Sequence, residues 1–321
     1  MSPATDTAAA TADGLDRVRA ALATVVAIPV TPFRPDGAVD EAAHTVLLDR
    51  LTEGGVTALT PNGNTGEFYA LSPAERRALV ARTVTAAPRS LVVAGVGLDL
   101  ATAAEDARAA RDAGAGCVMV HQPPHPFRSL DGWVDYHAAI AAAVPDIGMV
   151  PYVKDPAVDA AAMSALASAC PTLVGVKYAV PDPARFADLV AHTEGARATW
   201  LCGAAETWAP FFAIAGATGF TSGLVGVDPA RSLRLLAALR AGDMGAAMAE
   251  WRGVRGFEDL RLRSGAENNV SVVKEALHQL GLCSRDVRPP ITPLRAADAA
   301  AVADILAEWG LSRGCTRPGG R

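Results

Sequence analysis

Short β-branched apolar runs alternate along this chain with longer Ala-rich stretches whose apolar positions recur every three to four residues. The first pattern suits strands buried on both faces and the second suits helices that bury one stripe. Their alternation predicts repeated βα units around a parallel sheet. Strands are predicted over residues 24–30, 56–61, 91–96, 117–121, 147–152, 173–177, 198–202 and 219–222. Helices are predicted over 41–53, 73–86, 101–113, 132–144, 160–170, 183–193, 205–215 and 229–240. Eight units at near-regular spacing, with no early GxGxxG turn, predict an α/β chain closed into a (β/α)8 TIM barrel over residues 16–241 rather than an open doubly wound sheet. Three more helical patterns, at 244–261, 269–281 and 296–309, predict a C-terminal helical appendage over 242–311. The Ala/Thr-rich residues 1–15 and the Gly/Arg-rich residues 312–321 read as flexible tails.

Composition narrows the function classes. Of 321 residues half are apolar and 20% charged, which suits a globular chain with one large core. A formal charge of −5, without any basic cluster, excludes nucleic acid as an expected partner. The chain has neither a basic start leading into an apolar stretch nor a run of about 18 apolar residues, so no membrane association is expected and a cytoplasmic location is. The five cysteines (Cys117, Cys170, Cys202, Cys283 and Cys315) are odd in number and form no CxxC pair, so buried reduced thiols are expected rather than a disulfide framework or a zinc knuckle. Pro123 and Pro124 between His121 and His125 exclude the helix that would align both imidazoles on a metal, and no metal site is expected.

In a barrel of this kind, reacting groups sit where strands end at the C-terminal face. Lys177 closes the apolar strand Leu173-Val174-Gly175-Val176-Lys177, where nothing nearby in sequence calls for an ammonium. A buried lysine loses its proton readily and becomes a nucleophile for carbonyl carbon; the plainer reading is a lysine that reaches past the strand end to water or a carboxylate. Tyr152 ends the preceding strand, 25 residues earlier, which places its phenol on a neighbouring strand as a proton relay or as a packing residue. The turn Pro61-Asn62-Gly63-Asn64-Thr65-Gly66-Glu67 offers amides and a hydroxyl to a carboxylate, or is a βα connection stiffened by Gly and Asn. Ser222 and Gly223, at the end of the eighth strand, are further candidate substrate contacts, and Arg261-Leu262-Arg263 with Lys274 could line a pocket for a dianion. Ser72 and Glu75 have the spacing of a capping box. Gly95-Val96-Gly97 lacks the lysine and serine of a phosphate loop.

Taken together, Val30-Thr31-Pro32-Phe33 with Asp36-Gly37, Gly63-Asn64-Thr65-Gly66-Glu67, Ala94-Gly95-Val96-Gly97, Tyr152 and Val174-Gly175-Val176-Lys177 resemble the dihydrodipicolinate synthase and N-acetylneuraminate lyase superfamily from about Val25 to Leu294. The resemblance implies that Lys177 is the Schiff-base lysine and Tyr152 the proton shuttle. It also implies that Asn64 and Thr65, within the turn that includes Gly63 and Gly66, grip the carboxylate of a 2-oxo acid, and that the chain forms a homotetramer or dimer. No metal or organic cofactor is then needed, because the lysine is itself the electron sink.

Departures bear on the subfamily. Where dihydrodipicolinate synthases carry GTTGE, Asn64 replaces the first threonine; their arginine five residues beyond the strand-five tyrosine is Ala157; their tyrosine pair after strand four is His125-Pro126. Lysine biosynthesis is therefore disfavoured. Gly66-Glu67-Phe68 with Leu71-Ser72, and Arg261-Leu262-Arg263 with Val270-Ser271-Val272-Val273-Lys274, look more like 5-dehydro-4-deoxyglucarate dehydratases, which act on sugar diacids. The aspartate after that family's lysine is Tyr178 here, and its Tyr-Asn-Arg at strand five is Tyr152-Val153-Lys154. The leading expectation is thus a Schiff-base hydro-lyase on a hydroxylated sugar acid, with decarboxylation as an option. The alternatives are a 2-oxo acid aldolase, a catalytically silent metabolite-binding or scaffold barrel, and a metal-dependent aldolase.

Overall fold

The structure, a computed structural model, describes residues 3–313, with the backbone alone described for 3–11. Strands β1 (Val25–Ala27), β2 (Ala58–Leu59), β3 (Leu91–Val96), β4 (Cys117–Val120), β5 (Gly148–Val153), β6 (Gly175–Tyr178), β7 (Thr199–Cys202) and β8 (Gly219–Ser222) close in chain order, every neighbouring pair parallel. This is the expected (β/α)8 barrel. β1 and β2 are shorter than their apolar runs because Pro29 and Pro61 follow within two residues and supply no ladder N–H. The chain bends there into the loops that carry the site.

Helices α2 (Glu41–Glu53), α3 (Pro73–Ala86), α4 (Leu100–Ala113), α5 (Leu130–Ala143), α6 (Ala160–Ala169), α7 (Pro183–His192), α8 (Ala205–Ile214) and α9 (Pro229–Arg240) surround the sheet. Asp40, Ser72, Asp99, Ser129, Asp159 and Asp182 each accept from an N–H of the first turn, which fixes where α2 to α7 begin. The capping box of Ser72 and Glu75 is present. α5 starts two residues earlier than its apolar period suggested because Ser129 caps Gly132.

One expectation is corrected at the N-terminus. Helix α1 (Pro3–Leu22) occupies the stretch read as a flexible tail. Alanine lends it helical propensity, and Leu15 and Leu22, seven residues apart, share a face. Both are buried in the cluster of Val26, Val93, Met119, Val150 and Leu201 that fills the barrel interior, so α1 closes the end opposite the site. The C-terminal tail and Cys315 lie largely outside the described residues. Cys117, Cys170 and Cys202 are buried free thiols, and Cys283 is partly buried.

Beyond α9, helices α10 (Met244–Ala266), α11 (Ser271–Gln279) and α12 (Ala296–Glu308) share a second core. In it Phe257, Val272, Leu277 and Trp309 pack against Val30, Leu47 and Leu224 of the barrel. α10 breaks its helical geometry at Arg263, Ser264 and Gly265, which turns the chain across the barrel mouth. No helix among the described residues is long and apolar enough to cross a membrane.

Candidate active site

Alternation along β5 and β6 decides which side chains enter the barrel. Met149 and Val153 pack outward against helices with Val176 and Tyr178, so Val150, Tyr152 and Lys177 point inward. The register pairs Tyr152 directly with Lys177. The Lys177 ammonium nitrogen sits 3.8 Å from the centre of the Tyr152 ring and only 2% of the residue is exposed. Burial, then the charge of Lys154, lowers its pKa from 10.5 to about 7, so a large fraction of this amine is neutral near neutral pH. Burial also raises the Tyr152 phenol above its ordinary value, which keeps it protonated and able to donate. Its oxygen accepts from Asn64 Nδ2 at 3.4 Å.

The turn after β2 is held from below and behind. Asn64–Gly66 form one 3₁₀ turn, and Thr31 Oγ1 donates to the Gly66 carbonyl at 2.7 Å. Among the described residues the amides of Asn64 and Thr65 have no backbone acceptor, which leaves two N–H groups for an anion. Glu67 takes the left-handed conformation at φ 61°, uncommon for a residue with a side chain. Its carboxylate holds it there: Lys274 Nζ lies 2.5 Å from one oxygen and the Arg288 N–H donates to the other at 2.9 Å. Lys274 also donates to the Asp286 carbonyl at 2.6 Å. The Phe33 ring lies beneath both Lys274 and Arg288.

A cavity of about 790 Å³ opens over Lys177. Of the residues singled out from sequence, Lys177, Tyr152, Asn64, Thr65, Gly223 and Arg261 line it together. Gly63, Gly66 and Ser222 do not. A side chain at Gly63 would strike Ile28, the Gly66 carbonyl is engaged by Thr31, and Ser222 Oγ donates to Glu206 at 2.5 Å while accepting from the Val225 N–H. Arg263 faces Asp298, Lys274 is spent on Glu67, and His125 folds back on Phe127, so none of these three reaches the cavity. Arg261 comes from α10 and is buried; it pairs with Glu258 at 2.7 Å and donates to the Asn269 carbonyl and side-chain oxygens. Its guanidinium reaches Gly223, where a Cβ would lie 3.1 Å from Nη2 and 2.9 Å from Thr65 Cγ2. Behind this wall Glu206 is fully buried on Ser222 and Ser232, its pKa raised by burial and by Glu258. Among the described residues no cluster of His, Cys, Asp and Glu is arranged to hold a metal.

Sequence reasoning missed Gly203 and gave Lys154 no role. Gly203 follows β7, and a Cβ there would lie 2.9 Å from Lys177 Cγ, Ala179 Cβ and the Tyr178 carbonyl. The only signal was a glycine straight after a strand. Gly203→Ala is expected to displace the lysine stem and destabilise the fold by about 1–3 kcal/mol, with activity falling further than stability. Urea unfolding set beside turnover checks this, and unchanged activity would contradict it.

The sequence profile of the dihydrodipicolinate synthetase family matches residues 21–309. The chain belongs to this family. It is a lyase, in a family whose characteristic chemistry is a lysine Schiff base. A probable 5-dehydro-4-deoxyglucarate dehydratase of Rhizobium rhizogenes strain K84 is 30% identical over 286 residues, covering 88% of this chain and 94% of the relative. A 4-hydroxy-tetrahydrodipicolinate synthase of Sorangium cellulosum is 34% identical over 283 residues, covering 86% and 92%. A crystal structure of dihydrodipicolinate synthase from Bacillus clausii superposes with a TM-score of 0.88 at 42% identity, covering 92% of this chain and all of that one. Members of the dihydrodipicolinate synthetase family bind small molecules and are typically oligomeric.

Proposed function

We propose that the chain is a hydro-lyase that binds a hydroxylated 2-oxo sugar acid as a Schiff base on Lys177. The observation that carries this reading is the buried amine against the Tyr152 ring, opening on a cavity that the Asn64–Thr65 turn also lines. The neutral amine adds to the 2-oxo carbon, and the carbinolamine loses water to give an iminium. Loss of a proton from carbon 3 gives an enamine, whose electrons expel a hydroxyl from carbon 4. Protonated on departure, that hydroxyl leaves as water, and hydrolysis of the remaining iminium restores the amine. In this reading Tyr152 carries these protons, and the Asn64 and Thr65 groups fix the 1-carboxylate and with it the reacting carbon; the Asn64–Tyr152 hydrogen bond and the cavity they share support it.

Relatives named as dehydratases support elimination over carbon–carbon cleavage. The Sorangium relative keeps an aldol reaction as the second reading, since the same enamine serves both. A homotetramer or dimer is proposed from the family's habit, and the free thiols accord with a cytoplasmic setting.

The test is incubation with 2-oxo acids of graded hydroxylation, with products identified by mass. Loss of one water, with or without carbon dioxide, is expected. Products split into two carbonyl fragments would replace the hydro-lyase reading with the aldolase one. Tyr152→Phe is expected to lower kcat by about 10²-fold or more, while borohydride still traps substrate on Lys177. Unchanged kcat would remove the phenol from proton transfer.

A further inference from the structure

Two features of the chain have no part in the chemistry above: His121, and Gly95-Val96-Gly97 at the end of β3. His121 directly follows β4, on the parity of Cys117 and Met119, which point into the barrel. Its imidazole is fully buried and stacks on the Phe68 ring, with centroids 4.0 Å apart. The Tyr69 and Tyr152 rings meet it edge-on, at 5.6 Å and 5.9 Å. Nε2 lies 2.8 Å from the Asn62 carbonyl oxygen. A carbonyl only accepts, so the proton is on Nε2 and the imidazole donates. Nδ1 is buried without a hydrogen-bond partner among the described residues, so a second proton there would be costly. Burial accordingly lowers the His121 pKa to about 3, although the Asn62 bond opposes the shift.

The two glycines make this contact possible. A Cβ at Gly95 would lie 2.2 Å from the Asn62 carbonyl oxygen and 3.1 Å from His121 Nε2, and one at Gly97 would lie 2.9 Å from His121 Cβ. Asn62 is left-handed, at φ 61°, and its neighbours are held as well. The Gly95 N–H donates to the Pro61 carbonyl at 3.0 Å, and Asn62 Nδ2 donates to the Arg76 carbonyl at 2.9 Å. The entry of the turn is thus tied to β3, β4 and α3, as Thr31 and the Lys274–Glu67 pair tie its exit.

We propose that His121 is a positioning residue: by donating to the Asn62 carbonyl it fixes the Asn64–Thr65 turn beside Tyr152 and Lys177, so that losing it costs carboxylate recognition and not amine reactivity. This rests on Lys177 forming the Schiff base and on the turn taking the 1-carboxylate. His121 is sealed from the cavity, so it acts through the turn and touches no substrate.

The test compares pyruvate with acetone, two methyl ketones that differ in a carboxylate against a second methyl. The rate of borohydride trapping on Lys177 at limiting ketone is read for each, and the pyruvate-to-acetone ratio is taken within each variant. His121→Phe keeps a ring against Phe68 and loses the donor; its ratio is expected to fall about tenfold, in line with one buried carbonyl left unpaired. His121→Asn, too short to reach Asn62, is expected to fall alike. His121→Gln, whose amide nitrogen can take the place of Nε2, keeps most of the ratio. A role in packing alone would slow both ketones together and leave the ratio unchanged, and that result, or a His121→Gln ratio as low as that of His121→Phe, would overturn the role of His121 and leave the Schiff base standing. A wild-type ratio no larger than that on a free lysine side chain would remove the carboxylate site and the role of His121 with it. Failure of both ketones to label Lys177 would remove the Schiff base itself.

Discussion

Lys177→Met is expected to abolish turnover, a fall of about 10⁴-fold or more, without unfolding the protein. The covalent route makes carbon 3 acidic only while carbon 2 is an iminium, and the methionine sulfur cannot form one. Stability is expected to stay level or rise, because burial already disfavours the charged amine, lowering its pKa to about 7, and methionine of similar shape removes that cost. Steady-state kinetics on the substrate found by product screening, with urea unfolding alongside, checks both halves. Residual activity within tenfold of wild type would place the chemistry elsewhere.

The second large effect concerns stability. Lys274→Met is expected to destabilise the protein by about 3–5 kcal/mol, because it leaves Glu67 with a buried carboxylate that has lost its cation. Glu67 and Lys274 are both almost wholly buried and 2.5 Å apart. Burial lowers the Lys274 pKa while Glu67 opposes that shift, as expected for a desolvated pair. Adding Glu67→Gln to Lys274→Met is expected to recover much of the loss, since both charges are then absent. Urea unfolding of the two single variants and the double variant measures the coupling. The single Lys274 variant is also expected to lose carboxylate binding, because the left-handed Glu67 ends the turn that carries Asn64 and Thr65. A cost below 1 kcal/mol would mean that this clamp does not hold the turn.

The barrel was legible because its signal is repetitive. Strands buried on both faces read as apolar runs, and each of α2 to α7 opens on an Asp or Ser that caps it. Lys177 and Tyr152 were legible for a related reason: one βα unit of spacing and the same inward parity place two side chains beside each other, as the Tyr152–Lys177 register shows. Helix α1 was not legible, since an Ala/Thr-rich start looks the same frayed or docked, and only Leu15 and Leu22 beneath the barrel separate the two. Nor could sequence sort Arg261 from Arg263. They are two residues apart on one helical pattern, and the break at Arg263–Gly265 leaves the first buried against Glu258 and Asn269 and the second at the surface with Asp298. Ser222 was misread because a hydroxyl at a strand end serves a buried carboxylate as readily as a substrate, and Glu206 lies 16 residues away in the chain. Gly203 and Gly223 matter through what a methyl group would strike, which depends on neighbours from other βα units.

The central claim, an amine kept largely neutral inside the barrel mouth, is tested most directly by the pH dependence of borohydride trapping on Lys177 at limiting 2-oxo acid. An ordinary lysine at pH 7 is neutral in roughly one molecule in a few thousand, and its trapping rate would climb steadily with pH to beyond 10. Burial lowers the Lys177 pKa to about 7, so the rate should rise as pH increases through that value and level off above it. A midpoint near 7, with the label mapped to Lys177, is the expected result; a midpoint near 10, or a label on another residue, would contradict it.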